Sequence, residues 1–310
     1  MTTKTRKRIR VVHRLNDIRV RKDSYILWNQ DALRVLKRLP NRELFDLVIT
    51  SPPYNIGKEY EKSLPIELYL QWQKSIINEI ICRLKSNGSI CWVIGNYAKN
   101  AHIVPLDILL HPTFSESKLL LRNRIIWRYG HGLHAKRRFS GRYEVIMWYT
   151  KGDDYTFNLD QVRIPSKYPG KKYYRGPRRG EISSNPLGKN PEDVWDIPQV
   201  KSSHIEKTNH PCQFPMGMIE RLILALSKEG DVVFDPFTGS GTTGAAAAVH
   251  GRIFWGSEIR RSYVRIAEKR INDALWGALK YRPHDKPIYD HTTSSLSLMP
   301  EGKNLVGSRI

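Results

Sequence analysis

The sequence predicts an α/β fold in which a mostly parallel sheet carries helices on both faces. Apolar runs of strand length alternate with helical patterns along most of the 310 residues. A glycine-rich turn joins one of these strands directly to a helix, as in parallel nucleotide-binding units. One long basic segment without periodicity interrupts the alternation, so we expect it to be an insert with a role of its own.

The first half of the chain supplies the elements that precede this segment. Tyr25–Trp28 and Phe45–Thr50 are short, apolar and rich in strand formers, which predicts two buried strands. Between them, Leu33, Leu36 and Leu39 recur at helical spacing. The same patterns predict a helix over 69–84 and strands over 89–94, 119–127 and 143–149.

The second half returns to regular structure. Met218, Leu222 and Leu226 lie on one face of a predicted helix, which the strand Val232–Phe234 follows. A small-residue helix over 241–250, a strand over 253–255 and an amphipathic helix through Ile271 complete the pattern. The predicted organisation is a basic N-terminal arm (1–24), the first part of the main domain (25–150), the basic insert (151–206), the second part of the main domain (207–280) and a polar tail (281–310).

Charge and cysteine content restrict the classes of function. The formal net charge is +21, which indicates a polyanionic partner, most commonly nucleic acid. The cysteines Cys82, Cys91 and Cys212 are far apart and form no CxxC pair, so neither a zinc site nor a disulfide framework is indicated. No apolar run is long enough to span a bilayer, and the basic N-terminus lacks the apolar stretch of a secretory signal. We therefore expect a cytoplasmic protein without a metal site.

The first candidate site is the glycine-rich turn within residues 232–244. Gly239 and Gly241 allow a tight turn and a close approach of a ligand to the backbone. Glu258 ends the next strand, where nucleotide-binding units place a carboxylate for ribose hydroxyls. The turn lacks the lysine of a phosphate-binding loop, and Asp235 at the strand end can hold a ligand amine instead. This pattern favours an amino-acid-like nucleotide cofactor.

The second candidate site is Ser51-Pro52-Pro53-Tyr54, directly after the strand Phe45–Thr50. Two prolines stiffen the backbone and remove two N–H donors, so the segment presents the Ser51 hydroxyl and the Pro52 carbonyl as acceptors. Such acceptors suit an amino group. The Tyr54 ring offers a flat face on which an extruded base can stack, at about 1–3 kcal/mol per base.

The two sites together resemble the amino-methylating DNA methyltransferases of restriction–modification systems, over about residues 25–275. In that family an Asp/Asn/Ser-Pro-Pro-Tyr/Phe motif binds the target amino group, and an Asp-Pro-Phe-x-Gly-x-Gly-Thr loop binds S-adenosylmethionine. Here the first motif precedes the second, which is similar to the β-type order. The resemblance implies a Rossmann-like class I methyltransferase with a seven-stranded, mostly parallel sheet, and a direct in-line methyl transfer that requires no metal.

The resemblance also implies roles for individual residues. The Asn29–Ala32 segment is similar to the one that cradles the cofactor's adenine, and residues 210–221 look like the helix start at its methionine end. Tyr143–Trp148 resembles the strand before the target-recognition region, which places that region in the basic insert. The implied cofactor-binding residues are Asp31, Ala32, Asp235, Pro236, Phe237, Gly239, Ser240, Gly241, Thr242 and Glu258.

The expected partner is double-stranded DNA, from which the target base is flipped into the site. Basic residues beside an aromatic in the loop before Tyr143, and in the insert, are expected to contact it. These DNA-binding candidates are Arg137, Arg138, Arg142, Lys171, Lys172, Arg175, Arg178 and Arg179. A separate cognate restriction endonuclease, a prokaryotic cytoplasm with association to the nucleoid through DNA, and a monomer or homodimer fit this interpretation.

Serine at the head of the catalytic motif is the form that the family associates with the N4 amino group of cytosine. Methylation of adenine N6 is the first alternative. RNA or a protein amide as the substrate, and a non-catalytic DNA-binding module, are alternatives of other classes. Pro211-Cys212-Gln213 also resembles the nucleophile motif of enzymes that methylate cytosine carbon 5, although it lies before the cofactor loop rather than after it.

Overall fold

An eight-stranded sheet organises the residues that this computed structural model describes, namely 25–59, 61–99, 102–132 and 134–287. The predicted N-terminal arm and the tail beyond residue 287 lie outside them. The strands are β1 Tyr25–Trp28, β2 Phe45–Thr50, β3 Leu84–Ile94, β4 Asn96–Lys99, β5 His102–Pro105, β6 Leu120–Arg128, β7 Tyr143–Thr150, β8 Val194–Asp196, β9 Val232–Asp235 and β10 Ile253–Ser257. The helices are α1 Ala32–Arg38, α2 Ile66–Ile81, α3 Leu106–Glu116, α4 Met216–Leu226, α5 Thr242–Val249 and α6 Arg261–Leu275, with one 3₁₀ turn at Leu159–Gln161.

The sheet has the order β1-β10-β9-β2-β3-β7-β6-β8. Strands β1, β10, β9, β2 and β3 run parallel, whereas β7 pairs antiparallel with both β3 and β6. The predicted mostly parallel α/β fold is confirmed. The expected count of seven strands is wrong for this sheet, because Val194–Asp196 inside the basic insert adds an eighth strand at the edge, parallel to β6.

Strand neighbours explain why the two sequence motifs meet. In the sheet, β2 lies directly beside β9, with Leu47 opposite Val233 and Val48 opposite Phe234. The two strands are parallel, so the Ser51 motif and the glycine turn both leave the same edge of the sheet. On its other side β2 pairs with β3, which follows it in the chain, so this edge is a switch point of the kind where α/β sheets bind ligands.

The apolar residues of the strands divide between two cores, one on each face of the sheet. Leu47 and Ile49 pack on the α4, α5 and α6 side, while Val48 packs on the α1, α2 and α3 side. Alternate residues of a strand point to opposite faces, so a continuous apolar run such as FDLVIT serves both cores.

Several boundaries differ from the sequence-based expectations. Strand β3 begins at Leu84, so residues 85–88, between the predicted helix over 69–84 and the predicted strand over 89–94, belong to the strand. Its pairing with β2 is irregular between Phe45 and Leu47. Helix α3 was not predicted and contains Pro112. Its Phe114 ring stacks on Tyr149 at 4.4 Å, which shows that packing on the sheet outweighs the loss of one helical hydrogen bond.

The first residues of the predicted polar tail pack against α4. The backbone N–H of His284 donates to Glu220 at 2.7 Å, and the Tyr281 hydroxyl donates to the same side chain at 3.2 Å. The backbone N–H of Arg282 donates to Glu206 at 3.0 Å. Residues 281–284 therefore pack against the main domain.

Candidate active site

A cavity of about 530 Å³ opens at the edge of the sheet where β2 and β9 end. Its wall includes the whole of Ser51-Pro52-Pro53-Tyr54 and the glycine turn from Asp235 to Ser240. The volume lies within the range of small-molecule sites. The two motifs, 184 residues apart from Ser51 to Asp235 (235 − 51), thus share one compartment.

The glycine turn takes its shape from close packing on α6. Gly241 has a φ of +77°, and a Cβ on it would lie 2.6 Å from the Cα of Ala267. Only glycine satisfies both conditions. Hydrogen bonds from Gly241 N to Thr238 O at 2.8 Å and from Thr238 N to Ser257 O at 3.0 Å close the turn and fix it to β10.

Asp235 joins the ends of the two central strands. Its Oδ1 accepts the Thr50 hydroxyl at 2.6 Å and the backbone N–H of Phe237 at 3.0 Å. Burial raises the pKa of this carboxyl to about 6. Through this oxygen Asp235 links Thr50, the residue before Ser51, to the glycine turn, a structural contact in addition to the predicted role in holding a ligand amine.

Glu258 braces the turn from the end of β10. One carboxylate oxygen accepts the backbone N–H of Gly239 at 3.0 Å, and the other accepts that of Arg260 at 2.8 Å. Burial raises its pKa. A carboxylate offers about four acceptor positions, so Glu258 can also accept a ligand hydroxyl. Asn29, which precedes α1, donates to the carbonyls of Glu258 and Ile259, both at 2.9 Å, and so holds the Asn29–Ala32 segment at the same edge.

The remaining predicted cofactor residues also line or support the cavity. Asp31 lines it and caps α1 by accepting the Arg34 N–H at 3.0 Å, with Ala32 buried beside it. The ring of Phe237 lies 5.6 Å from that of Trp72 and 6.4 Å from that of Trp92. Pro236 accepts the Ser257 hydroxyl through its carbonyl, at 2.8 Å.

A buried arginine holds the start of α5 from behind. Arg270 of α6 donates to the Ser240 carbonyl at 3.0 Å and to the Thr242 hydroxyl at 2.8 Å. Burial lowers its pKa to about 10. Arg270 was not among the predicted site residues, since an arginine in an amphipathic helix ordinarily indicates a solvent-facing position.

The Ser51-Pro52-Pro53-Tyr54 segment is anchored at its centre and at its end. The Tyr69 hydroxyl of α2 donates to the Pro53 carbonyl at 2.8 Å. The Ser51 hydroxyl donates to the Tyr54 hydroxyl at 2.9 Å, and the latter donates to Glu144 of β7 at 2.8 Å. The Tyr54 hydroxyl is thus hydrogen-bonded within the protein. The predicted stacking of a base on the Tyr54 ring did not include these hydrogen bonds.

Glu144 is the second site residue that the sequence analysis missed. It lines the cavity from the neighbouring half of the sheet, and burial raises its pKa to about 7. The sequence does contain a signal for this residue, because Glu144 is the single charged residue in the strand Tyr143–Thr150. An acid in a strand next to a cleft is a typical functional candidate.

His210 and Cys212 also line the cavity. His210 Nδ1 accepts the backbone N–H of Cys212 at 3.3 Å, and its ring meets Tyr263 edge-on at 4.4 Å. Burial lowers the pKa of His210 to about 4, so the imidazole is neutral at pH 7. Cys212 is exposed and lines the cavity.

The predicted DNA-binding residues lie away from this cavity, on two surface segments. Arg137 and Arg138 are exposed, and Arg142 is half-buried, in the loop between β6 and β7; Phe139 in the same loop is 99% exposed. A small hairpin around the bridge Lys172–Ile182 carries the other group. Its exposed members are Lys171, Lys172, Arg175, Arg178 and Arg179.

The chemistry of the cavity fits the expected cofactor. Asp31 and Glu258 supply carboxylates for hydroxyl and amino donors, and Phe237 supplies an apolar face. The turn ends at the N-terminus of α5, where backbone N–H groups and the helix dipole attract a carboxylate. These are the groups that an adenosyl sulfonium amino acid requires. Among the described residues, no group of three or more His, Cys, Asp or Glu side chains is arranged for a metal, and no helix there has the length and apolarity to cross a membrane.

Comparison with protein families matches residues 45–269 to the DNA methylase family of N6 and N4 methyltransferases. Type II methyltransferase M.BglII of Bacillus subtilis is 47% identical over 243 residues, which cover 78% of this chain and 67% of that protein. Type II methyltransferase M.ScaI of Streptomyces caespitosus is 41% identical, covering 79% and 81%. DNA adenine methyltransferase YhdJ of Escherichia coli K12 is 35% identical, covering 79% and 81%.

Solved structures share the fold. PvuII DNA methyltransferase (cytosine-N4-specific) superposes with a TM-score of 0.64 at 21% identity, covering 84% of this chain and 94% of that one. The DNA modification methylase TTHA0409 of Thermus thermophilus, solved in complex with S-adenosyl-L-methionine, gives a TM-score of 0.58 at 25% identity, covering 81% and 96%. The expected class I methyltransferase fold and the expected cofactor are both confirmed.

Proposed function

This chain belongs to the DNA methylase family of N6 and N4 methyltransferases, and we propose that it methylates the N4 amino group of cytosine at a specific DNA sequence. It is a DNA amino-methyltransferase of restriction–modification type that uses S-adenosylmethionine. The observation that carries the proposal is the single cavity shared by Ser51 and the glycine turn.

S-adenosylmethionine supplies a methyl group on a positively charged sulfur, which is a good leaving group. The protein's task is to place an amino nitrogen in line with that methyl. We assign cofactor binding to the turn from Asp235 to Thr242, to Glu258, and to Asp31 and Ala32. The bonds of Glu258 and Arg270 to the turn hold it in shape before any ligand binds.

The target amino group is assigned to Ser51 and the Pro52 carbonyl. The lone pair of an aromatic amine is delocalised into the ring, and acceptors for its hydrogens favour a more tetrahedral, nucleophilic nitrogen. The bond from Tyr69 to the Pro53 carbonyl fixes the backbone of this segment against α2. Tyr54, whose hydroxyl is held between Ser51 and Glu144, forms one wall of the base-binding space.

Cytosine N4 is favoured by serine at the head of the motif, the form that the family associates with this base. PvuII DNA methyltransferase, described as cytosine-N4-specific, shares the fold. Adenine N6 is the competing product, because the relative YhdJ, at 35% identity, is named a DNA adenine methyltransferase. The alternative in which Cys212 is a nucleophile predicts methylation of cytosine carbon 5. That alternative assigns no role to the Ser51-Pro52-Pro53-Tyr54 motif, which argues against it.

Nucleoside analysis decides between these products. The purified chain is incubated with plasmid DNA and isotope-labelled S-adenosylmethionine, and the DNA is digested and separated by liquid chromatography with mass spectrometry. We expect the label in N4-methylcytosine. Label in N6-methyladenine contradicts the assigned base but keeps the amino chemistry. Label in 5-methylcytosine, or loss of labelling in Cys212→Ser, contradicts the amino chemistry.

We further propose that the basic region 151–206 and the loop before β7 contact the duplex around the target. The candidates are exposed, apart from the half-buried Arg142, and none of them lines the cavity, so long duplex DNA has access to them. Action on host DNA in a prokaryotic cytoplasm, with a separate cognate endonuclease, completes the proposal. Methylome sequencing of a host that expresses the chain tests it through the sites modified.

A further inference from the structure

A half-buried carboxylate outside both sequence motifs is hydrogen-bonded, through one tyrosine, to the catalytic serine. Glu144 accepts the Tyr54 hydroxyl at 2.8 Å, and Tyr54 accepts the Ser51 hydroxyl at 2.9 Å. All three side chains line the cavity. Gly95 makes the arrangement possible, because a Cβ there would lie 2.9 Å from the Tyr54 ring and 3.4 Å from the Glu144 Cγ.

The order of donors along this chain follows from the charge at its end. An ionised carboxylate only accepts, so Tyr54 must give its single hydroxyl proton to Glu144. The Tyr54 oxygen then accepts from Ser51, which uses the single Ser51 proton. The Ser51 oxygen has no further proton to donate, so its lone pairs can only accept hydrogen bonds. An incoming amino N–H requires such an acceptor.

Methyl transfer to an amine creates a proton that has to leave. When the nitrogen lone pair forms the N–CH₃ bond, the S–CH₃ bond breaks, its electrons stay on sulfur, and the positive charge moves to nitrogen. The nitrogen then loses one hydrogen as a proton. The products are neutral at both centres only after a base has accepted it.

We propose that Glu144 is the final acceptor of this proton, reached through Ser51 and Tyr54. As the amine N–H bond breaks, a new O–H bond forms on Ser51, whose original proton passes to the Tyr54 oxygen. The Tyr54 proton passes to Glu144, which becomes a neutral carboxylic acid. One negative charge on the carboxylate cancels the positive charge that arrived with the methyl group, so atoms and charge balance.

Other acids at the cavity are engaged elsewhere. Asp235 accepts from Thr50 and Phe237, and Glu258 accepts from Gly239 and Arg260. Glu61 accepts the backbone N–H groups of residues 55, 56 and 58. Among the cavity-lining acids with the hydrogen bonds described, Glu144 is the one bonded to a side chain of the Ser51–Tyr54 motif.

The surroundings of Glu144 suit a group that must gain and lose a proton near neutrality. Burial raises its pKa to about 7, and the bond from Tyr54 opposes that rise. Tyr129 faces it, with Arg142 next to Tyr129, and Cys212 faces Tyr54. Glu144 acts through Tyr54, so it is a positioning residue with respect to the substrate.

Glu144→Gln tests this inference, which rests on the proposed transfer to an amino group and holds for cytosine or adenine alike. Single-turnover methylation is measured from pH 5.5 to 9 with saturating DNA and cofactor. In the wild type the rate rises with pH through about 7, because the ionised form accepts the proton. In Glu144→Gln we expect a rate about a hundredfold lower at pH 8, without that rise, and an unchanged cofactor Kd.

Tyr54→Phe removes the middle hydroxyl and keeps the ring, so it interrupts the same path without touching the carboxylate. We expect a similar loss, and no further loss in the double variant, because both changes break one relay. Glu116→Gln, an exposed acid paired with Lys74 on the far helices, is the matched control and should follow the wild-type profile.

The outcomes separate this inference from the proposed function. A wild type that methylates no amino group in DNA overturns the function itself. A wild type that does so, with Glu144→Gln retaining the rise through pH 7, overturns the relay alone. Equal loss of rate at every pH together with weaker cofactor binding also overturns it, because that result indicates a structural role.

Discussion

The catalytic cavity and the basic surface segments are held together in opposite ways. Cavity contacts join distant parts of the chain: Thr50 to Asp235, Gly239 to Glu258 and Tyr54 to Glu144. Contacts in the basic hairpin around the bridge Lys172–Ile182 are local, as in the ion pair between Arg178 and Glu181, three residues apart. The cavity is therefore preorganised by the sheet, whereas the hairpin has the local order of a surface that can adapt to DNA.

This contrast has a chemical reason. Methyl transfer requires reacting atoms positioned to a fraction of an ångström, which long-range packing provides. Phosphate attraction falls off slowly with distance and depends mainly on the number of positive charges. We therefore expect substitutions in the cavity to cause large, specific losses, and substitutions in the insert to cause small, cumulative ones.

The largest expected effect is in the cavity, from Ser51→Ala. Removal of the hydroxyl takes away the acceptor for the target amino group and should lower the single-turnover rate by about a hundredfold or more. Calorimetry should show an unchanged affinity for S-adenosylmethionine, because Ser51 does not belong to the cofactor turn. Ser115→Ala, on the outer end of α3, is the control. Equal losses of rate and of cofactor affinity would argue against separate subsites.

A smaller effect is expected from Glu258→Ala. The change removes the acceptor of the Gly239 and Arg260 N–H groups, so the turn loses two charge-assisted hydrogen bonds. We expect cofactor affinity to fall by about 10- to 100-fold, measured by calorimetry. Glu43→Ala, an exposed acid, should not change it. Wild-type affinity in Glu258→Ala would mean that the turn does not depend on this brace.

The basic hairpin offers a comparison of two adjacent arginines. Arg178 is paired with Glu181 at 2.9 Å, whereas Arg179 forms no ion pair with the residues that the structure describes. Arg179→Ala should weaken DNA binding slightly and reduce the slope of log affinity against log salt by about one. Arg178→Ala should reduce that slope less. Fluorescence anisotropy at several salt concentrations measures both, and the opposite order would exclude the proposed contact surface.

The smallest effect concerns stability and Asp235. Its pKa is raised by burial to about 6 from 3.8, so the protonated form favours the folded state. The stability that this group contributes is complete below about pH 4 and is lost as the pH rises through about 6. Asp235→Asn keeps an Oδ1 acceptor for Thr50 and Phe237 but does not titrate.

The difference in the free energy of unfolding between wild type and Asp235→Asn should therefore fall between about pH 4 and pH 6 and stay level above. Urea denaturation across that range measures it, with the exposed Asp154→Asn as control. His210 makes an opposite contribution, because its lowered pKa makes stability fall as the pH drops below about 6.5. Both proteins contain His210, so its contribution cancels when their free energies of unfolding are subtracted. A constant difference would show that Asp235 ionises alike in the folded and unfolded chain.

The sequence by itself determined most of the strands and helices, though not α3, β4, β5 or β8, and it determined both motifs and the edge of the sheet at which they lie. Local patterns suffice for this, because a parallel strand followed by a turn delivers that turn to one edge wherever the strand lies. The match of Ile49–Tyr54 and Asp235–Thr242 to the two family motifs was equally local. The sequence also showed the surplus of positive charge that accompanies DNA binding.

Only the tertiary structure decided what the site residues touch. Strand β8 forms because Val194–Asp196 pairs with the otherwise unpaired side of β6. No local pattern in these three residues predicts that pairing. Glu144 meets Tyr54 because β7 lies beside β3, and Arg270 meets the cofactor turn because α6 packs on α5. Such contacts join residues far apart in sequence, and their energies depend on burial, a property of the assembled fold rather than of any segment.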